Sequence, residues 1–452
     1  MASKLLSNTL PRAAFSKQFV RPLATAASQT TRTTVLPNGF TVATEENGNT
    51  GAATVGVWVN AGSSVESAST NGAANFLQSA ILKNKSSAFE KLGGGLAAGT
   101  SREQAFYATQ TNGSNLDAAV AGLSEIIAND VDNIESVRGS ILKQQEANDN
   151  DLSIVTFDHL HAMAFQNESL GRPVIGVKET IEALTKEDLN AYKKNHYTAD
   201  QLVLVGAGNV DHDALVRLAE KTFGQLANGS GALPSIAKPA FTGSEIRIRD
   251  DVLPQAHVAL AVEGAPYLSS DYFTLAVMST LIGSWDQNLG AAANLSSRLS
   301  TVVNEDHLAN SFASFNKGYN NTGLWGLYFV SDNKDRLDDF VHFTQKEWVR
   351  LSTTVTASEV ERAKKQLQAS ILLQLDSNGA IAQDIASQVL STGKRLSADE
   401  IKQAIQKISV ADVRNAGDKY LWDQELVVVG AGPIESLTDF TRVRGNMAYN
   451  RF

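Results

Sequence analysis

The chain has 452 residues, of which 43% are hydrophobic and 19% charged, the composition of an ordinary globular protein. At roughly 100–200 residues per domain, this length predicts two or three domains. The absence of cysteine excludes disulfides, cysteine-ligated zinc, iron–sulfur clusters and thiol catalysis. The net charge of −9 argues against a nucleic-acid partner, and no apolar run approaches the roughly 18 residues of a membrane span.

The first 27 residues predict a mitochondrial transit peptide. The first acidic residue of the chain is Glu45, and it follows five basic residues set among Ser, Thr, Ala, Leu and Phe. A basic, hydroxyl-rich segment without acids is typical of a transit peptide, and the unbroken apolar run of a secretory signal is absent. A weakly basic, disordered tail is the alternative interpretation. We expect cleavage near residues 21–27.

The remaining chain predicts strands followed by helices, twice over. In the first half, strand-like runs lie at 41–45 and 53–60, and helical spacing follows at 71–83, 115–129, 134–149 and 185–195. In the second half, strands lie at 245–249 and 256–262, and helices at 269–282, 335–352, 357–376 and 397–407. The order lacks βαβ regularity. We therefore predict an α+β fold with helices packed on one face of a largely antiparallel sheet.

Three features of the first half recur in the second half at one constant separation. They are LVLVGAG at 202–208 and LVVVGAG at 426–432, Thr185/Asp188 and Ser409/Asp412, and Glu135/Arg138 and Glu359/Arg362. The hydroxyl residue followed three positions later by a carboxylate is the signature of a helix start. Such agreement predicts a duplication of one domain.

A stretch rich in Gly, Ser and Pro at 227–244 separates the two repeats and predicts a linker. The predicted domains are therefore residues 28–226 and 245–452. The Gly-Ala-Gly of each repeat does not predict a dinucleotide site, because no third glycine follows and each ends the last strand of its domain. Its glycines serve the turn after that strand.

Asn75, Gln78 and Ser79 share one face of the first predicted helix, because their spacing is i, i+3, i+4. In a zinc peptidase, such a face carries two histidines one turn apart and a glutamate that activates water. Amide and hydroxyl groups supply neither an imidazole nitrogen nor a carboxylate base. We interpret these three positions as a degenerate zinc motif and expect no catalytic residue, metal or cofactor.

The histidines offer no replacement site, since no two of the seven are four positions apart. His159 and His161 lie two positions apart on a predicted helix and so face different directions. The acidic residues around His212, in the run Asp211-His212-Asp213, follow a strand and are interpreted as a helix cap.

These motifs resemble those of the mitochondrial processing peptidase family of pitrilysin type, whose active members carry HFLEH where this chain has NFLQS at 75–79. Further matching stretches are LPNGFTVAT at 36–44, TSREQ at 100–104, FDHLH at 157–161, LGRPVIG at 170–176, IGSWD at 282–286, NLSS at 294–297 and TGLWGLYF at 322–329. The resemblance covers nearly all of the mature chain. It implies two homologous peptidase-like domains that face each other as a clam shell.

The resemblance also points to further family positions that have lost their chemistry. Active members bear a third zinc ligand, a glutamate, on a downstream helix, and this chain offers Gln144 or Ala147 there. Glu146 is the only nearby carboxylate. Tyr319 lies where active relatives present a tyrosine to the scissile bond, and without metal we expect it to belong to the scaffold.

In the C-terminal runs YLWDQ at 420–424, GPIESLTDFTRVR at 432–444 and RF at 451–452, the chain resembles the fungal non-peptidase core subunits of ubiquinol–cytochrome c reductase, respiratory complex III. That resemblance implies a structural subunit on the matrix side of the mitochondrial inner membrane, peripheral to it and without haem, quinone or cluster. The implied partners are core protein 2, cytochrome b, cytochrome c1, the Rieske protein and the small subunits. Two alternatives remain: an active or substrate-recognising chain of the processing peptidase, and a core subunit that also binds presequences.

Overall fold

The computed structural model describes residues 31–47, 51–229, 238–289 and 297–448. The predicted transit peptide lies outside these residues, and so does the central part of the predicted linker.

Within the described residues, twelve strands form two six-stranded sheets. The strands are β1 Arg32–Val35, β2 Thr41–Glu46, β3 Ala52–Val59, β4 Leu96–Thr100, β5 Ala105–Asn112, β6 Leu202–Gly208, β7 Ser244–Arg249, β8 Ala256–Gly264, β9 Ser284–Asp286, β10 Ser311–Gly318, β11 Gly323–Ser331 and β12 Leu426–Gly432. The first sheet has the order β1-β2-β6-β3-β5-β4, and the second has the order β7-β12-β8-β11-β10-β9.

The two sheets repeat one topology. Strands β2-β6-β3-β5-β4 correspond in order and direction to β7-β12-β8-β11-β10, while β1 and β9 are additional edge strands. Each sheet contains one parallel pair, β2 with β6 and β7 with β12, and its other pairs are antiparallel. This architecture confirms the predicted α+β class with two homologous halves.

The helices are α1 Ala73–Glu90, α2 Leu116–Ala128, α3 Glu135–Asp149, α4 Leu152–Ala164, α5 Lys178–Ala183, α6 Lys186–His196, α7 His212–Phe223, α8 Tyr272–Ile282, α9 Arg298–Asp306, α10 Leu337–Thr353, α11 Ala357–Gln374, α12 Asn378–Thr392, α13 Ala398–Lys407, α14 Val410–Tyr420 and α15 Phe440–Met447. The predicted starts at Thr185 and Ser409 are confirmed, since each residue caps its helix in a reciprocal capping box. No helix in the described ranges is both long and apolar enough to cross a membrane.

Each sheet is buried on both faces. Val57 and Val59 of β3 pack with Phe76 of α1 in the core of the first half, whereas the intervening Trp58 packs on the opposite face. This alternation follows from the two-residue period of a strand. In the second half, Trp325 of β11 is fully buried and packs against Trp348 of α10.

The second face of each sheet is covered by a helix from the other half. Ile381 and Ile385 of α12 pack with Trp58 and Val205 on the first sheet. The prediction of helices on one face was therefore incomplete, because it did not anticipate this layer.

Helix α4 provides the reciprocal contact, with Leu160 and Ala164 packed against Leu324 and Val427 of the second sheet. Helices α4 and α12 occupy equivalent places in the two repeats. Together they exchange positions between the halves and fasten one half to the other.

Candidate functional site

The predicted face of α1 is directed toward the edge strand β4. The Gln78 Nε2 donates to the Ala98 carbonyl oxygen at 3.2 Å, and the Thr100 Oγ1 donates to the Gln78 Oε1 at 3.1 Å. Both polar atoms of Gln78 are thus engaged in joining the helix to the strand. This side chain of the predicted degenerate motif therefore acts as a structural link between α1 and β4.

Asn75 and Ser79 lie on the same side of α1, as predicted. Asn75 is buried, and its Nδ2 has no hydrogen-bond partner among the described residues. Ser79 is half-buried. Protein zinc sites use imidazole nitrogen, thiolate or carboxylate oxygen, so the amides and hydroxyl of this face do not fit the ion.

Helix α3 does not supply the missing ligand from the predicted positions. Gln144, Glu146 and Ala147 are exposed, whereas Val137 and Ile141 form the buried face of the helix. In the part of the chain that the structure describes, no group of three or more His, Asp or Glu side chains has the geometry to hold a metal ion.

The start of α1 depends on a residue that the sequence did not indicate. The carboxylate of Glu66 accepts hydrogen bonds from Asn71 Nδ2 at 3.0 Å, Gly72 N at 2.8 Å and Ala74 N at 2.8 Å. The two backbone donors, Gly72 N and Ala74 N, are among the N–H groups that a helix N-terminus leaves unpaired. Burial raises the pKa of Glu66 to about 7, although the three hydrogen bonds oppose the shift. Glu66 precedes the helix by too many residues for a capping-box signature.

Tyr319 is tied to α4 of the other half. Its hydroxyl donates to His161 Nε2 at 2.6 Å, and His161 Nδ1 lies 2.6 Å from the Phe157 carbonyl oxygen. Because that carbonyl can only accept, the imidazole proton is on Nδ1. Burial holds the pKa of His161 well below its usual value, so the ring is neutral. The expected scaffold role of Tyr319 therefore takes the form of a contact between halves.

The stretch TSREQ at 100–104 lies at the same contact. Arg102 pairs with Asp158 of α4 at 2.7 Å, and Glu103 accepts a hydrogen bond from the Asn320 backbone N at 2.9 Å. Burial raises the pKa of Glu103 to about 7. This matched motif thus contributes to holding the halves together.

The cap interpretation of the residues around His212 is confirmed. Asp211 accepts a hydrogen bond from Ala214 N at 2.6 Å at the start of α7. His212 is buried, with Nδ1 2.7 Å from Thr44 Oγ1 and Nε2 2.8 Å from Thr34 Oγ1. It therefore joins α7 to the first two strands.

Comparisons with known proteins identify the family. The model described as "Insulinase (Peptidase family M16)" matches residues 41–178, and "Peptidase M16 inactive domain" matches residues 183–367. "Mitochondrial-processing peptidase subunit beta" of Lentinula edodes is 44% identical, covering 98% of this chain and 99% of that protein. The human protein of that name is 40% identical, covering 93% and 88%. The chain belongs to the M16 peptidase family.

A solved structure shares the fold closely. The chain is similar to a chain in "Complex III2 from Candida albicans, Inz-5 bound", with a TM-score of 0.87 and 32% identity. The match covers 92% of this chain and 99% of that one.

The narrower prediction that this chain is core protein 1 of fungal complex III is wrong. A further relative, "Probable mitochondrial-processing peptidase subunit beta" of Schizosaccharomyces pombe, is 46% identical over 96% of this chain. The described C-terminal runs used for the prediction extend from the end of α14 and from the end of β12 into α15. Such residues serve any member of the family, so they do not separate a peptidase subunit from a core subunit.

Proposed function

We propose that this chain is a structural, non-peptidase subunit of a mitochondrial respiratory complex III. The observation that carries the proposal is the α1 face, where Asn75, Gln78 and Ser79 replace the histidines and glutamate of the zinc motif. Gln78 is held by β4 through both of its polar atoms. Without imidazole or carboxylate on this face, zinc-activated water has no ligands and no base.

The proposal includes a cellular location and a set of partner proteins. The basic, acid-free N-terminus and the mitochondrial names of the relatives support a mitochondrial address. The similarity to a chain of the Candida albicans complex III supports assembly with a second M16 chain, core protein 2. On the matrix side of the inner membrane, the pair would support cytochrome b, cytochrome c1, the Rieske protein and the small subunits.

A second candidate is a beta-like or substrate-recognising chain of the processing peptidase. The names of the relatives from Lentinula edodes and Homo sapiens favour it. The two candidates differ in chemistry, because a cleaving beta chain must ligate zinc. They also differ in their partners, since only the first candidate associates with haem proteins.

The test is purification of the tagged chain from mitochondria in mild detergent. We expect b- and c-type haem and ubiquinol oxidation to co-purify, with zinc far below one equivalent per chain. A soluble heterodimer that carries one zinc per chain and cuts presequences, without haem, would overturn the proposal.

A matched variant shows whether the α1 face sets the zinc content. The triple change Asn75→His, Gln78→Glu and Ser79→His restores the family motif, and we expect it to bind more zinc than the wild type. One equivalent of zinc in both proteins would mean that the ion binds elsewhere in the chain. In that case the degenerate motif would no longer carry the argument.

A further inference from the structure

An open groove lies between helices α11 and α13 on the surface of the second half. Helix α11 contributes Lys365, Ala369 and Leu372, and helix α13 contributes Ile401, Lys402 and Ile405. The groove has a volume of about 390 Å³. Each wall is one helix face, because its residues recur three or four positions apart. Such paired faces match the shape of a third helix.

The apolar surface of the groove extends onto solvent-exposed leucines. Leu372 is 54% exposed and Leu373 is 76% exposed at the end of α11. At the equivalent positions of the repeat, helix α3 ends in Asn148 and Asp149. The duplicated fold thus accepts polar residues at the equivalent positions of the other half. Adjacent exposed apolar side chains are typical of an interaction surface.

The charges along the groove indicate the chemistry of its occupant. Lys365 and Lys402 flank the apolar floor, and among the described residues neither ammonium group has an ion-pair partner. Asp399 is the only carboxylate in the lining. A positively charged rim over an apolar floor complements a helix with leucine-like residues on one face and carboxylates beside them.

We propose that the groove between α11 and α13 binds an amphipathic helix with acidic flanks from another protein subunit. The proposal holds whether the chain serves complex III or the processing peptidase, since the groove lies outside the α1 site. The Gln368 Nε2 donates to the Lys402 carbonyl oxygen at 3.2 Å and links the two walls. The groove is therefore built before its occupant binds.

The test uses the purified full chain and two fluorescent synthetic helices with the same leucine stripe. One peptide carries glutamates beside the stripe, and the other carries lysines. We expect the acidic peptide to bind about ten-fold more tightly at physiological salt, because two rim lysines discriminate between them. Changing Lys365→Glu together with Lys402→Glu should reverse this order.

A second variant tests the apolar surface at the end of the groove, where Leu372 lines the groove and Leu373 extends it. Leu372→Ser with Leu373→Ser should abolish binding of the acidic peptide, whereas Val252→Ser, a control residue that is 92% exposed, should leave it unchanged. Equal affinity for the two peptides would overturn the proposal. So would self-association that the leucine variant removes, or preferential binding to phosphatidylserine vesicles, because these indicate a second copy or a lipid surface.

Discussion

The two exchanged helices occupy equivalent places in the repeat but are anchored by different chemistry. Helix α4 is held by the neutral hydrogen bond between His161 and Tyr319 and by aromatic packing, with the Phe157 and Phe315 rings 5.5 Å apart. The ring contact and the hydrogen bond both link α4 to the second half, whereas its ion pair, Asp158 with Arg102, joins it to its own half. No charge is buried in the hydrogen bond.

Helix α12 is anchored by charge. Arg395, just beyond its end, pairs with Glu45 of β2 and with Asp384 at 3.0 Å. The side chains of Arg395 and Glu45 are each 7% exposed. Trp58 Nε1 also donates to the Gln383 Oε1 at 2.9 Å.

The two halves therefore share the exchange of helices but not the interactions that hold the exchanged helices in place. Both anchors are buried, so in each case the loss of one partner leaves a polar group without water. The energetic consequence differs, because an uncompensated buried charge costs more than an unpaired neutral group. Substitutions at α4 and at α12 should therefore lower the free energy of unfolding by different amounts.

The largest effect is expected at Arg395. Changing Arg395→Met leaves the carboxylate of Glu45 buried without its partner, and the free energy of unfolding should fall by about 3–5 kcal/mol. Urea denaturation measures the loss. Arg249→Met is the matched control, because Arg249 pairs with Glu435 on the surface, and it should cost at most about 1 kcal/mol. Equal losses in the two variants would remove the distinction between the anchors.

The contrast between local and distant contacts also explains what the sequence could predict. The spacing of Asn75, Gln78 and Ser79, and the caps at Thr185 and Ser409, are local patterns, and the structure places these residues as expected. The repeat likewise predicted two similar halves.

The exchange of helices had no such local signal. His161 and Tyr319 are 158 positions apart, and Glu45 and Arg395 are 350 positions apart. A helix that packs on its own sheet and one that packs on another half carry the same apolar periodicity. The contact of Glu66 with α1 was not predicted either. Its carboxylate reaches the helix across a turn, and no short sequence pattern indicates such a contact.

An intermediate effect on the free energy of unfolding is expected when the pH is lowered, because His161 of α4 titrates. Below about pH 6.5 the unfolded chain protonates His161, while the folded chain keeps it neutral. The free energy of unfolding should therefore fall as the pH falls, by up to about 1.4 kcal/mol per pH unit. Relative to His161→Gln, which lacks this group, the wild type should lose up to about 1.6 kcal/mol between pH 6.5 and 5.

The difference between the two proteins isolates the histidine. Glu66 and Glu103, whose folded pKa values are raised to about 7, work in the opposite direction and stabilise the fold as the pH falls toward 4.5. They are present in both proteins, so their effect cancels. Urea denaturation across this pH range measures both profiles. Parallel profiles would show that His161 takes up its proton as readily in the folded chain as in the unfolded chain, which contradicts the lowered pKa.

The smallest effect is expected at the α1 face. Changing Gln78→Ala removes the hydrogen bonds with Ala98 and Thr100 and should lower the free energy of unfolding by about 0.5–1.5 kcal/mol. Ubiquinol oxidation by the assembled complex should be unchanged, because no water is activated there. The exposed Gln110 on β5, changed to Ala, controls for loss of an amide.

A large loss of turnover by the Gln78→Ala complex, with assembly intact, would contradict the structural function. The expected order of effects, with Arg395 above His161 and His161 above Gln78, follows from the distribution of buried polar groups. The predicted motif face of α1 makes an ordinary contact between a helix and an edge strand. The contacts on which the chain depends have their partners in opposite halves of the repeat.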